Sequence, residues 1–88
     1  MTKGRPHRRN EKAISTLANN IKKYRLEKKW TIQELANLMD VDYSQISRME
    51  RGIVNPNISI VFEIANILKI EPYKLLMDHL DPLNKSAL

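Results

Sequence analysis

Cysteine is absent from the 88-residue sequence, glycine occurs only twice, and the two histidines lie far apart at His7 and His79. The missing cysteine excludes disulfides and thiolate metal ligands. The sequence also lacks a glycine-rich phosphate loop and any cluster with metal-ligand spacing. We therefore expect a protein that is not an enzyme and that binds neither a cofactor nor a metal.

Long apolar runs are absent as well. No stretch approaches the roughly 20 apolar residues that a membrane-spanning helix needs, and the cationic N-terminus is not followed by the apolar segment of a secretory signal. The sequence is nevertheless 42% hydrophobic, which is too apolar for an intrinsically disordered chain. These features predict a folded cytoplasmic protein that does not enter a membrane.

Basic residues are concentrated in the first third of the chain. Residues 1–29 contain ten Lys and Arg against two Glu, whereas residues 30–88 contain five against eight acids. A basic arm joined to a basic first helix, on an otherwise mildly acidic domain, favours a polyanionic partner that binds from one side. A solubilising surface is the alternative interpretation.

Helical periodicity divides the chain into a basic N-terminal arm (residues 1–10), one all-α domain (residues 11–82) and a C-terminal tail (residues 83–88). The first helix, from Glu11 to Lys28, carries a buried stripe that includes Ile14, Leu17, Ala18 and Ile21. Thr31 and Glu34 have the spacing of a capping box, so a second helix begins there and runs to about Met39.

Three further helices follow from cap and stop residues. Asp42 can cap a third helix that runs from Tyr43 to about Arg51 and is stopped by Gly52. Asn57 can cap a fourth helix from Ile58 to Leu68, which is apolar on most sides and is therefore predicted to be buried. Pro72 suits the first turn of a fifth helix that continues through Leu80 and ends at Pro82.

The short connection between the second and third helices is typical of a helix-turn-helix motif. Several segments occur in a characteristic order and spacing: Ile21 and Arg25, TIQELA (31–36), ISRMERG (46–52), Asn55-Pro56 and the IANIL of the fourth helix. From Ile21 to Leu76 the chain resembles the Cro/C1-type (XRE) helix-turn-helix family. The resemblance implies a five-helix, lambda-repressor-like DNA-binding domain whose third helix enters the major groove.

The resemblance also implies roles for individual residues. Base contacts are expected from one face of the third helix, where an arginine can bind guanine O6 and N7 in a bidentate manner: Tyr43, Ser44, Ser47 and Arg48. DNA-backbone contacts are expected from Thr31, Gln33, Gln45, Arg51, Asn55 and Asn57. Arg25 and Glu50 match a family ion pair that joins the first and third helices.

Two positions depart from the family pattern. Ile32 replaces a glutamine that touches phosphate in many members, so this interaction is missing or moves to Thr31 or Gln33. Asp40 replaces the usual glycine of the turn, and we expect it to adopt the left-handed backbone conformation.

The arm has its own weak motif. Lys3-Gly4-Arg5-Pro6 resembles the core of an AT-hook, and Arg8 and Arg9 follow it. Three interpretations stay open, namely contacts to phosphates, insertion into an adjacent minor groove, and an idle tail.

Leucines near the C-terminus exceed what the fifth helix needs to cover its own core, and predict a homodimer interface: Leu75, Leu76, Leu80 and Leu83. A single helix-turn-helix domain that dimerises through its last helix resembles the controller proteins of restriction-modification systems. It is equally compatible with small phage or plasmid repressors. We expect an autoregulatory repressor or controller that reads a palindromic double-stranded DNA operator as a homodimer. The alternative is an antitoxin or protein-interaction module that uses the same fold to bind a partner protein.

Overall fold

The computed structural model describes residues 9–79 of the chain. Within this range the chain forms five α-helices and no β-strand: α1 (Glu11–Glu27), α2 (Ile32–Met39), α3 (Tyr43–Glu50), α4 (Ile58–Leu68) and α5 (Tyr73–Leu76). The expected all-α class is therefore confirmed. No helix in the described range is long and apolar enough to cross a membrane.

One hydrophobic core joins these helices. The predicted stripe of α1, at Ile14, Leu17, Ala18 and Ile21, is buried, and α1 packs against α3, α4 and α5. The fully buried large side chains come from every helix: Ile21, Leu35, Ile46, Ile64, Leu68 and Leu75. Trp30, in the connection between α1 and α2, is partly buried and packs against this core. Side chains from all five helices and from this connection therefore hold the domain together.

The helix N-termini follow the predicted caps with one exception. Thr31 Oγ1 accepts from the Glu34 N–H at 3.0 Å, and the Glu34 carboxylate accepts from the Thr31 N–H at 2.7 Å, so the capping box is present. Asn57 Oδ1 likewise accepts from the Ile60 N–H at 3.0 Å. Asp42 occupies the position before α3, but its side chain makes no cap hydrogen bond, so this part of the prediction is wrong.

The first four helices end in the same Schellman-type arrangement. A residue with φ between 60° and 72° follows each helix; its N–H donates to the carbonyl three residues earlier, and the next N–H donates to the carbonyl five residues earlier. Glycine occupies this position only at Gly52, and the other three are Lys29, Asp40 and Lys69. The sequence predicts the left-handed conformation for Asp40. It also predicts this conformation for Gly52, because a glycine that ends a helix commonly adopts it. It does not predict it for Lys29 or Lys69.

Helix α4 is not buried on all sides, which corrects the expectation. It buries Val61, Ile64, Ala65 and Leu68, whereas Ile58 and Phe62 are more than half exposed. The helical spacing predicted from the sequence is right, but one side of α4 has no neighbour within the described residues.

Helix α5 is shorter than predicted. It ends at Leu76, and Met77 is already extended. The buried Asn20 side chain donates to the carbonyls of Leu75 and Met77, both at 2.8 Å. The side-chain amide of α1 thus replaces the partners that a longer helix would have supplied. Leu80 and Pro82 lie outside the described residues.

Candidate nucleic-acid interface

Helix α3 has one buried side and one exposed side. Ile46 and Met49 are buried in the core, which follows from their spacing of three residues. Tyr43, Ser44 and Arg48 are exposed, and Ser47 is partly exposed beside them. None of these four side chains makes a hydrogen bond to another residue in the range 9–79. Their polar groups are therefore available to an external ligand.

An ion pair fixes the orientation of α3 relative to α1. Arg25 Nε and one terminal nitrogen donate to the two carboxylate oxygens of Glu50 at 2.7 and 3.0 Å, and the side chains are only 7% and 5% exposed. The hydrogen bonds to Glu50 raise the pKa of Arg25, against the opposing effect of burial. The guanidinium thus stays charged and holds α3 in a single position.

The same guanidinium reaches the connection between α1 and α2. Its remaining terminal nitrogen donates to the Trp30 carbonyl at 2.6 Å. Arg25 therefore joins three segments, α1, the residues before α2 and the end of α3. The side chain that the sequence assigns to folding lies inside the domain and not at its surface.

The segment after α3 presents several groups that can bind phosphate. Arg51 is exposed, and its Nε donates to the Ser47 carbonyl at 3.3 Å, which leaves its terminal nitrogens available. Asn55 is exposed and makes no hydrogen bond within the described residues. Asn57 uses only its side-chain oxygen as a cap, so its amide N–H groups remain available as donors.

Residues of α2 and its cap that are expected to contact the DNA backbone already take part in local bonds. The Thr31 oxygen accepts a hydrogen bond in the capping box, but its hydroxyl hydrogen can still donate. Gln33 donates to the Asn37 side chain at 2.9 Å. Gln45, at the side of α3, is exposed.

Of the four cations assigned to the arm, only Arg9 lies within the described residues; Lys3, Arg5 and Arg8 lie outside them. Arg9 Nε donates to Glu11 at 2.8 Å, and a terminal nitrogen donates to the Ile53 carbonyl at 3.3 Å. The hydrogen bond raises the pKa of Arg9 and lowers the pKa of Glu11. The arm therefore joins the domain beside the loop between α3 and α4.

The leucines assigned to a dimer interface separate into different environments. Leu75 is fully buried in the core, so its assignment to an interface is wrong: its side chain faces its own domain. Leu76 is 53% exposed. Leu80 and Leu83 lie outside the described residues.

A larger exposed apolar surface includes residues that sequence reasoning did not assign to it. Ile58 and Leu76 line the same groove, Phe62 lies one turn from Ile58 on α4, and Tyr73 lies one turn from Leu76 on α5. All four are more than half exposed, and we call them the α4–α5 apolar surface. The signal in the sequence is the excess of apolar residues on α4 beyond one buried stripe.

Comparisons with known proteins identify the fold. A model of the helix-turn-helix family HTH_3 matches residues 21–75. The crystal structure of the hypothetical transcription factor NHTF from Neisseria is similar, with 27% identity and a TM-score of 0.76 over 93% of each chain. The restriction-modification controller protein C.AhdI from Aeromonas hydrophila has 27% identity and a TM-score of 0.67 over 70% of this chain and 94% of its own. No curated protein sequence matches the chain significantly.

Proposed function

The chain belongs to the helix-turn-helix family HTH_3 and is a DNA-binding transcriptional regulator, and on this premise we propose that it reads a palindromic operator as a homodimer and represses or controls its own gene. The observation that carries the proposal is the exposed face of α3, which has no hydrogen-bonding partner for its side chains within the described residues. A helix with such a face fits the width of a DNA major groove.

Sequence readout is assigned first to Arg48. Its guanidinium can donate two parallel hydrogen bonds to guanine O6 and N7, a geometry that discriminates this base from the other three. Tyr43 can pack its ring against a thymine methyl group or donate its hydroxyl to a phosphate. Ser44 and Ser47 can bond to base edges or to the backbone.

Backbone contacts are assigned to the segment after α3. Arg51 and Asn55 are exposed there, and Asn57 has free amide donors next to the N-terminus of α4, which favours negative charge. Gln45, the Thr31 hydroxyl and Gln33 are secondary candidates. These contacts position the protein on the duplex without selecting a sequence.

The position at which the arm joins the domain supports contacts between the cations of the arm and the DNA backbone. Arg9 is bonded to the Ile53 carbonyl in the loop between α3 and α4. The cations of residues 1–8 therefore precede, in the chain, a point next to the proposed phosphate contacts. Contacts to phosphates and insertion into the adjacent minor groove are both compatible with this position.

Homodimerisation is supported by the α4–α5 apolar surface. Exposed side chains of this size gain free energy when a second copy covers them. A two-fold dimer would present two α3 helices to two half-sites about one helical turn apart, which is why a palindromic operator is expected.

Autoregulation is supported by the likeness to the controller protein C.AhdI. The similarity covers 70% of this chain and 94% of that protein, so nearly the whole of the controller has a counterpart here. A small regulator of this kind can respond to its own concentration through dimerisation and DNA binding.

The test is fluorescence anisotropy of the purified protein on DNA from upstream of its own gene, with excess unrelated DNA and several salt concentrations. Tight binding that survives the competitor supports the proposal. If the competitor abolishes binding at every salt concentration, the proposal is wrong, and an antitoxin or protein-interaction role through the same fold becomes the better account.

A further inference from the structure

Three cations near the end of α1 have no ion-pair partner among residues 9–79. Lys22, Lys28 and Lys29 are exposed, whereas the neighbouring Lys23 pairs with Glu27 at 3.0 Å. Lys28 and Lys29 follow the helix directly, and the Lys28 ammonium lies 6.0 Å from the centre of the Trp30 ring. We call residues 28–31 the α1–α2 corner.

The α1–α2 corner is anchored beside α3. Arg25 donates to the Trp30 carbonyl inside the corner and to the Glu50 carboxylate at the end of α3. One buried guanidinium therefore holds the corner next to the helix that enters the groove.

A helix in the major groove is bordered by phosphates on both sides. The loop after α3 provides neutral donors and Arg51, while the corner provides two consecutive exposed lysines that form no ion pair within the described range. From this arrangement we propose that Lys28 and Lys29 bind phosphates of the DNA backbone beside the groove that α3 reads. The inference rests on the proposed function of α3.

The backbone of Lys29 makes the proposal testable with one substitution. Lys29 has φ of 62°, a conformation that glycine adopts without the steric penalty of a side chain. Lys29→Gly should therefore stabilise the fold while it removes a charge. A merely structural role predicts that stability and DNA binding change in the same direction, whereas a phosphate contact predicts opposite directions.

Lys69 provides a matched control. It has φ of 60° at the end of α4, and the 11 residues of that helix carry the chain about 16 Å away from the loop that precedes it. Lys69→Gly therefore makes the same chemical change away from that loop and outside the α1–α2 corner. Both variants should unfold at a temperature a few degrees higher than the wild type.

The measurement is the salt dependence of binding for the wild type, Lys29→Gly, Lys29→Arg and Lys69→Gly on the same DNA. Lys29→Gly should lower the slope of log affinity against log salt by about 0.9, because one phosphate is no longer neutralised. Lys29→Arg and Lys69→Gly should keep the wild-type slope. Lys28→Gln should repeat the effect of Lys29→Gly.

Equal slopes for Lys29→Gly and Lys69→Gly would overturn the inference and leave the α3 proposal intact. Failure of the wild type to bind its upstream DNA in the presence of competitor would instead overturn the proposed function. The two failures are therefore distinguishable in one series of titrations.

Discussion

Two arginines, Arg25 and Arg48, lie in opposite environments. Arg25 is buried, donates three hydrogen bonds of 3.0 Å or less and holds α1, α3 and the α1–α2 corner together. Arg48 is exposed and makes no side-chain hydrogen bond within the described residues. The same planar group of donors thus serves folding where its partners are internal and is available for recognition where they are not.

Arg48→Ala should reduce discrimination between the operator and unrelated DNA by about 1–3 kcal/mol, because the proposed bidentate pair of hydrogen bonds to a base would be lost. The measurement is competition anisotropy on both DNA sequences. Arg51→Ala is the control, because loss of a side chain that we assign to a phosphate contact should weaken binding to both sequences alike. Equal weakening on both sequences by Arg48→Ala would assign Arg48 to the backbone instead.

Glu50→Ala should lower the free energy of unfolding by about 3–5 kcal/mol, because it leaves a buried guanidinium without its carboxylate. Urea denaturation followed by circular dichroism measures this change. Glu27→Ala, which breaks the exposed pair with Lys23, should cost less than about 1 kcal/mol. Similar losses in the two variants would mean that burial of the Arg25 pair contributes little to stability.

At the scale of elements, the described helices end in two different ways. Four helices close with the same pair of backbone hydrogen bonds, and only one uses glycine for the left-handed residue. Helix α5 ends differently, through the two hydrogen bonds from Asn20. A side chain of α1 therefore determines where the last of these helices stops.

Asn20→Ala should destabilise the domain by roughly 2–4 kcal/mol, since two carbonyls lose the donor that satisfies them and one is buried. Asn19→Ala changes the exposed neighbouring residue and should have an effect within about 0.5 kcal/mol. Thermal and urea unfolding of both variants measure the difference. A small effect of Asn20→Ala would show that water replaces the amide at the end of α5.

At the scale of the whole molecule, the α4–α5 apolar surface adjoins the segment that we assign to DNA-backbone contacts. Ile58 and Leu76 line the same groove as Arg9 and Asn55, whereas the exposed face of α3 does not line it. We therefore expect a second copy bound to this surface to leave the proposed reading face of α3 uncovered.

Phe62→Asp should abolish the proposed homodimer, because it would bury a carboxylate in an apolar interface. Sedimentation equilibrium over a range of concentrations measures the assembly. Leu26→Asp places the same charge at another exposed apolar residue, at the end of α1, and should leave the dimer intact. A Phe62→Asp variant that still dimerises, or a wild type that stays monomeric, would contradict the proposed interface.

Much of the fold follows from the sequence alone, because the signals are local. The stripe of α1, the capping box at Thr31 and Glu34, the Asn57 cap and the stop at Gly52 each depend on residues within a few positions of one another. The family resemblance is confirmed for the same reason, since its motifs keep a fixed order and spacing along one continuous segment.

Only the tertiary structure decided the features that depend on distant residues. The end of α5 is set by Asn20, 55 positions before Leu75, and no local pattern distinguishes the buried Leu75 from the exposed Leu76. Ile58 and Phe62 are apolar in sequence but exposed, because no described element packs on that side of α4. The sequence by itself determined where helices begin and which family the chain resembles; contacts across the core decided where α5 ends and which apolar residues remain for a partner.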